Sequence, residues 1–348
     1  MIGVGIVGYG YAGRCFHSYL VPLAEGLRLE AIASSDPAKR ARITADVGCR
    51  AVATPQELFA DPAVDLVVLA TPHDTHASLT IAALAAGKHV VTDKAMCLTV
   101  AEADAMIEAS RKADRLLSVF HNRRWDWDYL TLRQALQADL LGRPYLFESS
   151  VLTHGSPRGW RADERQRGGV MYDWGAHLLD QALQLVAGPV VSVCYDEARV
   201  RPQSRAEGGV ADYGRMGLRF EDGTRFEITC GALAAVPKPR WYVLGDRGAL
   251  TKEGVDPQEK AMLQRQIGQA REDPAQRARV RTQLVGSPAD LVLESVRGSW
   301  TAYYQNISDV LHGKAELAVT PQSVRRSIAV LEAAARALAG GGCVDVRI

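Results

Sequence analysis

The sequence predicts an α/β protein of two domains: an N-terminal doubly wound parallel sheet, then an α+β domain with a large, mostly antiparallel sheet. Three observations carry this. An apolar run from Ile2 to Val7 enters the turn Gly8-Tyr9-Gly10-Tyr11-Ala12-Gly13. Short apolar strands then alternate with helical stretches up to residue 122. Beyond it the strand-like segments lengthen and follow one another through turns.

In order, a helix is predicted over Arg14 to Leu20, a strand over Leu29 to Ala33 and a helix over Pro37 to Val47. Asp65 to Ala70 reads as a strand, Thr75 to Ala86 as a helix closed by Gly87, and His89 to Thr92 as a strand. Val100 to Lys112 is an alanine-rich helix and Leu116 to Phe120 a strand. This places one domain at 1–122 and a second at 123–348. In the second, a helix over Val170 to Val186 precedes most of the strands. Pro144 to Leu152, Val190 to Val200, Tyr213 to Phe220, Thr224 to Leu233 and Trp241 to Leu244 are strands, with Asp222-Gly223 as a hairpin turn. The charged stretch Thr251 to Ser287 is expected to be a solvated helical excursion. Pro321 to Ala339 is a final amphipathic helix able to pack back on the body.

At 348 residues, 47% apolar and 23% charged, the chain is long enough for two cores. A net charge of +1 argues against a general nucleic-acid or anionic-membrane surface. The six cysteines, Cys15, Cys49, Cys97, Cys194, Cys230 and Cys343, include no CxxC pair and read as reduced thiols. No apolar run approaches the roughly 20 residues of a membrane span, and a strand starting at Ile2 leaves no room for a signal peptide. The expectation is a cytoplasmic protein.

The turn Gly8, Gly10, Tyr11, Ala12, Gly13 joins a buried strand to a helix start. Glycines let the backbone approach a pyrophosphate while the helix N-terminus offers unpaired N–H donors. The reading is a Rossmann dinucleotide site. The end of the second strand presents Ser34 and Ser35, then Lys39 and Arg40, where an NAD-binding unit carries an acid. Hydroxyls and positive charge there favour NADP(H) over NAD(H), with Asp36 read as a helix cap. The carboxyl ends of the other strands select Thr71, Pro72, His73 and His76, then Asp93 and Lys94, then His121, Asn122 and Arg123.

Lys94 can bond a substrate hydroxyl and relay a proton if desolvated, although its position equally suits a solvated loop lysine. Asp173 and His177 are four apart, on one face of a helix, where a carboxylate can set the imidazole tautomer; a plain structural contact has the same spacing. Trp160 and Arg161 can offer an aromatic wall and a cation to a polyol, or form a surface loop. No third ligand accompanies His177 and Asp180, so no metal site is expected.

Together these segments resemble the glucose-fructose oxidoreductase, inositol dehydrogenase and MocA (Gfo/Idh/MocA) family of NAD(P)-dependent oxidoreductases over nearly the whole chain. The glycine turn, Lys94 in Asp93-Lys94-Ala95 where the family has Glu-Lys-Pro, and Asp173 with His177 fall in the family order. Phe120 to Asp126 and Gly254 to Glu259 resemble the branch containing NADP-dependent scyllo-inositol dehydrogenases. The resemblance implies that Lys94 and His177 bracket the carbon exchanging hydride, with His177 as acid/base oriented by Asp173. It also implies that the second sheet is open-faced and builds a homodimer or homotetramer. The expected activity interconverts a secondary alcohol and a ketone on a cyclic polyol or sugar, Arg123, Trp160 and Arg161 joining the substrate contacts. The alternatives are an NADP(H)-binding sensor without turnover and a reductase of C=C or C=N bonds.

Overall fold

The apolar run Ile2–Val7 forms strand β1 of a six-stranded sheet in a computed structural model that describes residues 1–284 and 286–348. The other strands are β2 (Leu27–Ala33), β3 (Arg50–Val52), β4 (Leu66–Leu69), β5 (His89–Thr92) and β6 (Leu117–Val119). All pairs are parallel, in the order β3-β2-β1-β4-β5-β6. Burial of Val4, Ile6, Leu66, Val67, Val68 and Leu69 explains the nearly unbroken apolar runs, as a parallel sheet is covered on both faces. The strand order reverses between β1 and β4, and ligands of such sheets lie at the carboxyl ends by that point.

Local signals set the helices. Asp36 accepts from the N–H groups of Ala38 and Lys39, starting Pro37–Val47, which stops at Gly48 in the left-handed region. Thr54 with Glu57 and Thr99 with Glu102 form capping boxes for Pro55–Ala60 and Val100–Ala113. The stretch after the glycine turn differs from the simple helix expected: Ala12–His17 is a π-helical turn, Ser18–Leu20 is α-helical and Val21–Leu23 is a 3₁₀ turn.

This unit comprises Met1–Asn122 together with Lys260–Gly268 and Ser299–Ile328. The later segments complete its core. Trp300 stacks on Phe16 with centroids 5.7 Å apart, and Tyr303 meets Phe120 edge-on at 4.9 Å. Tyr303 also donates to Ser118 Oγ, whose own hydroxyl donates to the Val319 carbonyl.

The second unit, Arg123–Glu259, Gln269–Gly298 and Ala329–Ile348, is built on a nine-stranded sheet. Its strands are β7 (Pro144–Leu152), β8 (Val190–Ala198), β9 (Tyr213–Phe220), β10 (Arg225–Gly231), β11 (Trp241–Gly245), β12 (Gly248–Lys252), β13 (Ala278–Leu284), β14 (Ser287–Leu293) and β15 (Cys343–Asp345). Their order is β14-β13-β12-β11-β7-β10-β9-β8-β15, with β10 parallel to β7 and the other neighbours antiparallel. Phe147, Phe226, Ile228, Met216, Leu218 and Trp241 are buried on this sheet, Phe147 and Phe226 stacking at 5.4 Å.

Two expectations are corrected here. The stretch 251–287 is not a helical excursion: Gln258–Leu263 is its one α-helix among the described residues, 3₁₀ turns follow at Ile267–Gln269 and Pro274–Gln276, and Ala278–Leu284 forms β13 of the edge pair β13–β14. Ala278, Val280 and Thr282 are buried while Arg279, Arg281 and Gln283 face out, a two-residue alternation hidden by the charge of its outer face. The cysteines are not all reduced. Cys343 on β15 sits directly opposite Cys194 on β8, and the two form a disulfide across 149 residues of sequence. Among the described residues no helix is long and apolar enough to cross a membrane.

Candidate functional site

The glycine turn has the shape a dinucleotide needs. A Cβ on Gly13 would lie 2.1 Å from the Gly8 carbonyl oxygen, and one on Gly8 would lie 2.4 Å from that of Ala70. Both glycines are therefore required by close packing of helix and strands. A Cβ on Gly10 would meet nothing within 4 Å. The turn is thus packed below and open above Gly10, the arrangement that lets a pyrophosphate reach backbone N–H groups. Tyr11 is exposed and edge-on to Phe16.

At the end of β2, Arg40 donates to the carbonyls of both Ser34 and Ser35, at 2.8 and 3.0 Å. Lys39 and Ser35 are exposed beside it. Asp36 is engaged as the helix cap. At the end of β4, Thr75 donates to Thr71 Oγ1, and buried His76 spans the Thr71 and Ala95 carbonyls at 3.0 and 2.8 Å. His76 thereby ties the loop after β4 to the loop after β5. His73 is also buried, 5.8 Å ring to ring from His76.

Beyond β5, the Lys94 N–H donates to Asp93 Oδ1 at 2.7 Å, and the Lys94–Ala95 peptide is cis. His17 Nε2 lies 3.4 Å from Asp93 Oδ2, and its Nδ1 is 2.7 Å from the Tyr304 hydroxyl. Burial raises the Asp93 pKa, but the His17 hydrogen bond and the charges of His17 and Lys94 outweigh it and hold the carboxyl well below the usual range. An anion is thus fixed beside Lys94. His17 was not anticipated; its only signal is a polar residue in the buried stretch after the turn. Asn122, beyond β6, is 1% exposed, and its Nδ2 has no partner among the described residues. An unpaired buried donor at a strand's carboxyl end fits a carboxamide-bearing ligand. The residues of this unit therefore fit a nicotinamide dinucleotide.

In the second unit Met171–Gly175 is a π-helical turn leading into the α-helix Ala176–Leu185. Asp173 and His177 therefore straddle a change of helix type, so regular α-helical stacking does not apply between them. Such turns recur at functional sites. The Gly168-Gly169 segment folds back on the loop before it: Gly169 donates to the Arg161 carbonyl, and Asp173 N–H to the Gly169 carbonyl. This brings Arg161 Nε to 3.7 Å from Asp173 Oδ2, with the Arg161 guanidinium over the Trp160 ring at 4.6 Å. Trp160, Arg161 and Asp173 are thus brought together. His177 is buried, 6.5 Å from the Trp174 ring.

The helix bearing His177 is bolted in place. Arg124 makes a bidentate pair with buried Asp180 at 2.7 and 2.8 Å, and Gln181 donates to the Arg123 carbonyl. Arg123 is 5% exposed, lies between Asp126 and Glu259, and stacks on Trp174 at 4.1 Å. These contacts anchor the helix. Among the described residues no group of three or more His, Cys, Asp or Glu side chains is arranged to hold a metal ion.

Comparison with known proteins agrees with this geometry. Residues 2–121 match the oxidoreductase family with an NAD-binding Rossmann fold, and residues 129–251 match the GFO/IDH/MocA C-terminal domain. The chain is 38% identical to the uncharacterized oxidoreductase YdgJ of Escherichia coli (strain K12), covering 95% of this chain and 94% of that protein. It is 31% identical to the scyllo-inositol 2-dehydrogenase (NADP(+)) IolW of Bacillus subtilis (strain 168), covering 96% and 92%. The solved structure of yvaA from Bacillus subtilis superposes with a TM-score of 0.90 at 28% identity, covering 99% of this chain and 98% of that one. With a dinucleotide cradle in its first unit and family matches on both sides of residue 122, the chain belongs to the Gfo/Idh/MocA oxidoreductases and carries an NAD-binding Rossmann domain.

Proposed function

We propose that the protein is an NADP(H)-dependent dehydrogenase that interconverts a secondary alcohol and a ketone on a cyclic polyol or sugar, inositols being the first candidates. The observation that carries the reading is Lys94 at the carboxyl end of β5, its N–H bonded to an Asp93 whose carboxyl is held below the usual range, in a unit shaped for a dinucleotide. Similarity to the scyllo-inositol 2-dehydrogenase supports the substrate class. The cofactor preference is supported by the β2 end: Asp36 caps its helix through Oδ1, and Ser34, Ser35, Lys39 and Arg40 supply hydroxyls and positive charge.

The backbone from Gly10 to Gly13 would hold the pyrophosphate, and Thr71, Pro72, His73 and Asn122 the nicotinamide side. When bound, the nicotinamide supplies or accepts hydride at its C4. His177 takes the substrate hydroxyl proton in oxidation and returns it in reduction. Lys94 donates a hydrogen bond to the substrate oxygen. Asp173 with Arg161 sets the charge at the start of the His177 helix, and Trp160 offers the sugar an apolar face. The protein acts in the cytoplasm, as a homodimer or homotetramer.

The test follows the reduced-nicotinamide absorbance with both cofactors against inositols, inososes and aldoses. Turnover on a polyol with NADP(H) is expected. Lys94→Met and His177→Ala should each lower kcat roughly 10²- to 10⁴-fold, the range for loss of a positioned acid or base. Unchanged kcat in both variants removes the assignment.

A further inference from the structure

Lys94 stands between two residues, each held from outside its own loop by a fully buried histidine of the same unit. His17, on the π-helical turn that follows the glycines, holds Asp93. Its Nε2 donates to Asp93 Oδ2 at 3.4 Å, while Asp93 Oδ1 accepts the Lys94 N–H at 2.7 Å. The Asp93 carboxyl is held well below the usual range, so it only accepts, and the proton of the first bond belongs to His17. The far side of the ring is fixed as well. Its Nδ1 lies 2.7 Å from the hydroxyl of fully buried Tyr304, and its face meets Phe120 with centroids 4.6 Å apart.

His76, at the start of the helix His76–Ala85, acts on the other flank. Its Nδ1 is 2.8 Å from the Ala95 carbonyl and its Nε2 is 3.0 Å from that of Thr71. Carbonyls only accept, so the ring fills both bonds when doubly protonated and one when neutral. Burial, the largest influence, lowers its pKa, while Asp93, the two carbonyls and Asp74 raise it; the other titratable ring beside it is His73, at 5.8 Å. With both nitrogens and the whole side chain taken up by the protein, His76 is placed to hold a loop and not to touch a ligand.

We propose that His17 and His76 are the positioning residues of Lys94, His17 acting through Asp93 and His76 through the Ala95 carbonyl. A long, flexible lysine reaches a reacting atom repeatably only from a fixed backbone, and these two bonds fix the residues on either side of it. This rests on the reading of Lys94 as the residue that bonds the substrate oxygen.

An amide side chain replaces one ring nitrogen and not both: that of Asn falls near Nδ1, that of Gln near Nε2. The working nitrogen is Nε2 in His17 and Nδ1 in His76, so the milder substitution is Gln at the first position and Asn at the second. The experiment measures, in the full-length protein, hydrogen exchange at the Lys94 amide and kcat on a polyol that wild type turns over. His17→Asn and His76→Gln should each speed that exchange roughly tenfold, the loss of one hydrogen bond. They should lower kcat by up to about 10²-fold, the cost of misplacing a group by about 1 Å. His17→Gln and His76→Asn should stay nearer wild type, and the amides of β1 should exchange as before. In a Lys94→Met background the same substitutions should lower kcat no further.

The same amide being the milder at both positions overturns the proposal. So does equally faster exchange throughout β1, or losses of kcat that multiply with that of Lys94→Met. Tyr304→Phe keeps the ring but frees His17 Nδ1, and tests the same bond should a His17 variant fail to fold: faster exchange at Lys94 is expected, and unchanged exchange overturns the proposal. If wild type turns over no polyol, or Lys94→Met turns over as wild type, the crossed order of exchange still decides whether the two histidines hold Lys94, and it is the function assigned to Lys94 that falls.

Discussion

A single methyl group separates the two kinds of glycine in the turn after β1. On Gly13 it would press to 2.1 Å of a carbonyl oxygen, a distance that real Cβ atoms do not reach, so strand and helix must move apart. Overpacking of this kind costs about 1–3 kcal/mol. Gly13→Ala is therefore expected to lower Tm by several degrees, with any loss of nucleotide binding following from the displaced helix. On Gly10 the methyl meets no protein atom within 4 Å, so Gly10→Ala should melt with wild type. Its cost should fall on the ligand: NADPH and NADH affinities should both drop tenfold or more, because the methyl occupies the approach to the backbone N–H groups. Thermal melts with and without nucleotide separate the two variants. A Gly10→Ala protein that binds as wild type would mean the pyrophosphate lies elsewhere.

Elements with a complete local signal were legible in the sequence. Pro37–Val47, with its Asp36 cap and Gly48 stop, Pro321–Ala339, and the strands β7 and β9 fall on their predicted bounds. Short or charged elements were not. β3 has three residues, too few to show a period, and β13 hides its buried Ala278, Val280 and Thr282 between arginines and glutamine. The candidate site divides in the same way. Gly8 to Gly13 and Lys94 are marked by adjoining strands, but the pairing of His17 with Tyr304 depends on chain segments 287 residues apart. The disulfide likewise joins segments far apart in sequence, 149 residues, which no spacing rule reaches. β15 is a three-residue edge strand that among the described residues pairs only with β8, and Cys343 is its first residue. Alkylation of the protein in denaturant without reductant should modify Cys15, Cys49, Cys97 and Cys230 and spare Cys194 and Cys343. All six should react after reduction. Six reactive thiols without reductant would show the pair to be open. The variant Cys343→Ser should speed amide exchange at β15 while leaving the central strands protected, since a clasp on an edge strand restrains local opening.

Stability of the whole molecule as a function of pH sums carboxylates shifted in opposite directions. Asp93 is held low by His17 and Lys94 against its burial. Asp212, also opposed by burial, is lowered to about 2 by the Arg201 and Val200 N–H groups, the Ser204 hydroxyl and the Arg201 guanidinium. Such groups stabilise the fold above their unfolded pKa and lose that contribution as pH falls. Asp256 behaves the other way. Burial first, and then the nearby Asp128, raise it from 3.8 to about 6, although its oxygens accept from the N–H groups of Trp127 and Gln258. Asp128 is itself paired with buried Arg240 at 2.7 Å, and Arg240 donates to Gln181 on the helix that carries His177. Between the two pKa values of Asp256 the folded protein keeps a proton that the unfolded chain releases. Its contribution is therefore full below about pH 4, declines as pH rises through about 6, and is flat beyond. Asn at this position cannot titrate. Urea unfolding of wild type and Asp256→Asn should give a stability difference, wild type minus variant, that falls by on the order of 2–3 kcal/mol from pH 4 to 7. A difference constant over that range would mean Asp256 is ionised in the folded protein throughout, with its accepted hydrogen bonds outweighing burial and the charge of Asp128.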